Sequence, residues 1–110
     1  MVPLRIYSDA MKLVAETIQF LKHPSLQREY ELTNQLKRAA MSIPANISEG
    51  YLRTKKVFYN HLSIAIGSTN EVITLLEITD GITSLSTKDL IERYMLLCRQ
   101  IISLRKRIPL

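Results

Sequence analysis

Between Leu32 and Leu76, apolar side chains return every three or four residues on two segments that are both rich in small residues. The first, Leu36 to Gly50, carries Ala39, Ala40, Ser42 and Ala45 among the larger Leu36, Ile43 and Ile47. The second, Leu62 to Glu71, carries Ser63, Ala65, Gly67 and Ser68. A period near 3.6 is that of an α-helix with one apolar face. Small side chains let two helix backbones approach closely. The stretch therefore predicts two tightly packed helices, and the rest of the chain must complete their core.

The flanks supply two more helices. Tyr7, Met11, Val14, Ile18 and Leu21 form one apolar row, and Ile6, Ala10, Leu13, Thr17 and Phe20 an adjoining one. They predict a first helix from Ile6 to Lys22 with a wide apolar stripe. Ser8 and Asp9 are placed in its first turn and Lys22 in its last, as the helix dipole favours. His23-Pro24 ends it. A second helix is expected to start between Leu26 and Tyr30 and to reach about Leu52. Pro44 falls inside it, where a missing N–H and a ring clash cost about 3 kcal/mol. The apolar period passes through Pro44 in phase, which favours a kinked continuous helix over a break. Gly50 is a candidate C-terminal cap.

The third helix is expected from an N-cap at Thr54 to about Thr79, closed by Asp80-Gly81. Gly67 in its middle costs about 1 kcal/mol relative to alanine. A close crossing would explain it, with Ala65, Gly67 and Ser68 facing Ala39, Ala40 and Ser42. The fourth runs from Thr87 to Arg107, with Ser86 and Asp89 at capping-box spacing, and Pro109 stops it. The expectation is one all-α domain over residues 1–110. Its fold is an up-down-up-down antiparallel four-helix bundle, helix 2 kinked near Pro44.

Composition narrows the chemistry. Cys98 is the only cysteine, which excludes an internal disulfide framework and fits a reducing compartment. Met1-Val2-Pro3-Leu4-Arg5 lacks the apolar run of a signal peptide. No stretch reaches the roughly 18 apolar residues that span a bilayer, so a cytoplasmic location without a membrane partner is expected. No Glu-x-x-His pair, zinc pattern or glycine-rich phosphate loop is present. Cys98 reads as a small buried hydrophobe and His61 as a helix-surface or interface residue. No catalytic residues, metal ligands or cofactors are expected, and the chain reads as a non-enzyme.

Two polar groupings remain. Arg38, Ser42, Asn46 and Glu49 lie beside the apolar row of helix 2, and Ser68 and Glu71 beside that of helix 3. They are expected to form a structural network in which Arg38 or Arg53 offsets the carboxylates. The second grouping is basic. The chain carries 15 Lys and Arg against 10 Asp and Glu, a formal charge of +5. Arg53, Lys55 and Lys56 sit in and after the second connection, and Arg105, Lys106 and Arg107 at the end of helix 4. Alternating topology brings both clusters to one end of the bundle. These six residues are the candidate phosphate contacts, with Tyr51, Phe58 and Tyr59 nearby as candidate stacking platforms. Cations also suit a helix C-terminus whatever its partner.

Arg38-Ala39-Ala40, Ser42-Ile43-Pro44, Asn46-Ile47 and Glu49-Gly50, followed by Leu62, Ile64-Ala65, Gly67-Ser68 and Glu71, resemble the signature of a known family. It comprises small bacterial four-helix bundle proteins encoded by intervening sequences in large-subunit ribosomal RNA genes. The likeness covers nearly the whole chain and implies a homopentamer. It also implies kinship with the accessory protein of diversity-generating retroelements, a basic pentameric barrel that engages nucleic acid and a reverse transcriptase. The functional expectation is a homo-oligomer that associates with RNA or DNA backbone. A scaffold or accessory subunit for another protein, such as a reverse transcriptase, is the other reading.

Overall fold

The structure, a computed structural model, describes residues 4–110. Met1, Val2 and Pro3, where the segment read for a leader begins, lie outside the described residues. Four helices follow one another: α1 (Arg5–Phe20), α2 (Tyr30–Gly50), α3 (Lys55–Ile82) and α4 (Lys88–Lys106). A 3-10 turn, Pro24–Leu26, precedes α2. The described residues contain no strand. The helices run alternately up and down in a bundle 45 Å long and about 20 Å wide. α2 and α3 form the most extensive pairing, and α1 packs on α2 and α4.

The apolar rows account for the core. Leu36, Ala39, Ile43 and Ile47 of α2, and Leu62, Ala65, Val72 and Leu76 of α3, are all buried. Leu90, Tyr94, Leu97 and Ile101 of α4 complete the interior with Ala10, Leu13 and Val14 of α1. Each fully buried Leu or Ile contributes about 1.5–3 kcal/mol relative to exposure. Threonines on these rows satisfy themselves: Thr17, Thr69 and Thr79 donate to the carbonyls of Leu13, Ala65 and Leu75 at 2.7 to 2.9 Å. Thr17 also meets the Tyr94 hydroxyl at 2.6 Å, joining α1 to α4.

α2 continues unbroken through a buried Pro44. Its last turns pack against α3, and tertiary packing offsets what the proline costs locally. Several boundaries differ from expectation. α1 ends at Phe20, which leaves Lys22 outside it, and no acidic residue lies in its first turn. His23 Nδ1 instead accepts from the Ser25 amide at 3.1 Å and starts the 3-10 turn. α3 runs three residues past Thr79, because Asp80 is used otherwise: its Oδ1 accepts from the Thr87 amide and holds the α3–α4 turn. The N-cap of α4 is Thr87, whose hydroxyl donates to the Leu76 carbonyl. The expected Ser86–Asp89 capping box does not form; Ser86 only meets the Lys88 amide, at 3.5 Å.

Gly67 is a clear departure. It is exposed, and a methyl group added there would meet nothing within 4 Å. Within one chain no packing requires it. Gly50 is the constrained glycine. A Cβ there would lie 2.8 Å from His61 Cβ and 3.2 Å from Phe58 Cα. Gly50 is the last residue of α2 rather than its left-handed cap; the C-cap is an extended Tyr51, and the left-handed residue is Leu52, φ 66°, inside the turn closed by Arg53 N–H on the Gly50 carbonyl.

Candidate nucleic-acid interface

The α2–α3 connection is a rigid turn. Tyr51 N–H donates to the Ile47 carbonyl and Arg53 N–H to that of Gly50, both at 3.1 Å. Thr54 then caps α3, its hydroxyl accepting from the Val57 amide at 3.2 Å. With Gly50 wedged against Phe58 and His61, the turn has little room to shift. Arg53, Lys55 and Lys56 are exposed along it. Lys55 and Lys56 are the first two residues of α3, and no acid lies in that first turn. A helix N-terminus carries partial positive charge and disfavours cations, so helix stability does not explain these two lysines.

The end of α4 reaches the same place. Arg105 Nη1 donates to Ser63 Oγ at 3.0 Å, and its guanidinium lies 5.2 Å from the centre of the Tyr59 ring. Tyr59 is one turn beyond Lys55 and Lys56. Arg105 is therefore half-buried and anchored, while Lys106 and Arg107 remain exposed. Arg5, at the start of α1, belongs to this end as well. Of the ten acidic residues only Asp9 and Glu49 lie on the helix halves that point this way. Glu29, Glu31, Glu77, Asp80, Asp89 and Glu92 gather toward the other end.

The aromatic side chains here are engaged within the fold. Phe58 packs on the core, and Tyr51 meets it edge to face with ring centres 6.2 Å apart. One face of Tyr59 carries Arg105. The exposed apolar side chain at the turn is instead Leu52, 89% accessible. Among the described residues the aromatic that stands most clear of the surface is Tyr30, at the acidic end.

The polar grouping along α2 and α3 is smaller than expected and includes one residue the sequence did not assign to it. Ser42 and Ser68 hydroxyls meet at 2.8 Å across the crossing. Asn46 Nδ2 donates to the Ser42 carbonyl at 2.8 Å and to its hydroxyl at 3.0 Å. Asn46 Oδ1 faces His61 Nδ1 at 2.9 Å; as an amide oxygen can only accept, His61 donates there. Arg38, Glu49 and Glu71 stay outside this grouping. They are exposed, and no ion pair joins them among the described residues. Solvent already screens those carboxylates, so no cation is needed to offset them. His61 could have been found from its place three residues beyond Phe58, with which it shares the contact on Gly50 of α2.

A second feature is an open apolar groove of about 490 Å³ between α1 and α2. Tyr7, Met11, Val14 and Ile18 line one wall, and Met41, Pro44 and Ala45 the other. Of the α1 residues that line it, Met11 is exposed, Tyr7 and Ile18 are half-buried and Val14 belongs to the core. Cys98 is buried, and burial pushes its thiol above the ordinary value, with Arg99 pulling the other way. No group of three or more potential metal ligands occurs among the described residues, and no helix there is long and apolar enough to cross a membrane.

An alternating four-helix bundle with one cationic end defines a small basic all-α protein. The family model described as 23S rRNA-intervening sequence protein matches residues 3–107, and the chain belongs to that family. No curated protein and no solved structure matches the chain.

Proposed function

We propose that the protein is a non-enzymatic, homo-oligomeric nucleic-acid-associated bundle that grips the backbone of RNA or DNA through its cationic end. Arg53, Lys55, Lys56, Arg105, Lys106 and Arg107 make the phosphate contacts. The observation that carries this reading is the pair Lys55–Lys56 at the start of α3, where the helix dipole opposes them. Arg105 adds a cation fixed in place, which loses less freedom on binding than a mobile one.

The uncovered apolar surface supports the proposed assembly. The α1–α2 groove, with Met11 and Met41 each 47% exposed, would close against a sister chain, and a ring of five is the arrangement proposed. Each copy would add its cationic end, so that several weak sites act as one strong site. The cytoplasm is the proposed location, where Cys98 would stay reduced. A second reading, a scaffold for another polypeptide, rests on the same groove.

The test is binding of RNA and DNA fragments across a salt series. A log–log slope near minus the number of phosphates contacted is expected, and a flat dependence overturns the reading. A partner protein retained in a pull-down after nuclease treatment favours the scaffold.

A further inference from the structure

Leu52 is the residue of the cationic end that the proposed function leaves without a role. It is 89% exposed at the tip of the α2–α3 turn, and its φ is 66°. This left-handed conformation is disfavoured for a side chain with a Cβ, and glycine or asparagine adopts it more readily. Leucine there gains nothing from burial in the chain itself. The turn is held by the Gly50 carbonyl, by the Thr54 cap and by the tight fit of Gly50 on α3, so it presents the side chain rigidly. Arg53, Lys55 and Lys56 follow within four residues, all exposed.

We infer that Leu52 is an apolar wedge that the cationic end presses against base edges in the groove of a double-stranded nucleic acid. The inference rests on the backbone-binding reading above and adds the form of the ligand. Exposed cations that follow the tip in the chain, Arg53, Lys55 and Lys56, would meet phosphates that border a groove. A single protruding aliphatic side chain is what proteins push between base steps of a duplex. Unpaired strands call for exposed aromatic platforms, and here Phe58 and Tyr59 are engaged by Tyr51 and Arg105. Strain is retained at the tip because the wedge must stand clear of the surface.

The experiment compares the full chain with Leu52→Gly and Leu52→Asn, both of which suit the turn and should melt at or above the parent's temperature. Ligands are a labelled duplex of about 20 base pairs, as DNA and as RNA, its single strand, and anionic lipid vesicles. The expected result is tighter binding of one duplex than of the strand. Both variants should weaken duplex affinity about tenfold, with the salt slope unchanged. End-to-end energy transfer should report a duplex bend that the variants lose. Variants that bind and bend like the parent overturn the wedge, as does preference for the single strand or the vesicle. Failure of the parent to bind any nucleic acid in a salt-dependent way overturns instead the reading on which the wedge rests.

Discussion

Thr17 and Tyr94 share a buried hydrogen bond at 2.6 Å whose direction is fixed by a third atom. The Thr17 hydroxyl already gives its one proton to the Leu13 carbonyl at 2.8 Å, so Tyr94 donates and Thr17 accepts. Removing the acceptor strands a buried O–H, whereas removing the donor leaves only an acceptor with a spare lone pair. Thr17→Val should therefore destabilise by about 1–3 kcal/mol and Tyr94→Phe by about 1 kcal/mol or less. Urea unfolding of the two variants reads the difference, and the reverse order would contradict the assignment.

The same tyrosine predicts an alkaline limit. Burial raises its pKa from 10.0 to about 12. The group is neutral in both states below pH 10. Above it the unfolded chain ionises first, so stability falls as pH rises from 10 to 12. The loss should be on the order of 2–3 kcal/mol. Stability measured between pH 9 and 12 should fall less steeply in Tyr94→Phe.

Gly50 and Gly67 should respond oppositely to alanine. At Gly50 the new methyl would meet the Cβ of His61 and the backbone of Phe58, neither of which can swing away. The expected cost is about 1–3 kcal/mol. At Gly67 the methyl enters open space on a helix, which should stabilise a single chain by about 1 kcal/mol. Thermal melts read both. A loss at Gly67 would mean that α3 meets another chain there.

Lys55→Glu and Lys56→Glu separate folding from binding. A carboxylate in the first turn of α3 agrees with the dipole, so each change should stabilise by about 0.3–1 kcal/mol. Each should also weaken RNA or DNA binding and lower its salt slope by at least about one. Variants that melt higher and bind as before would remove these lysines from the interface.

Met11→Asp and Met41→Asp place charge in the α1–α2 groove, where both side chains are half-exposed. The single chain should keep most of its stability. The mass from light scattering should drop to that of a monomer, 12.7 kDa. An unchanged larger mass would mean that assembly uses another surface.

The bundle was legible because its rows are long and regular: Leu36 to Ile47 and Leu62 to Leu76 stay in phase for several turns. That phase also foretold a helix continuous through Pro44. What escaped is three-dimensional. Gly67 looked like a packing residue and Gly50 like a cap, because sequence spacing does not say which small residue faces the neighbouring helix. Glu49 and Glu71 looked in need of cations only on the assumption that they were buried. Leu52 could not be singled out, since its importance lies in one backbone angle. The gathering of Arg53, Lys55, Lys56 and Arg105 at one end did follow from helix order alone.

The concentration of acids away from the cationic end gives the molecule an electric axis along its length. In the field of a polyanion such a rod experiences a torque before it experiences contact. Encounters would begin end-on, with the turn at Leu52 leading.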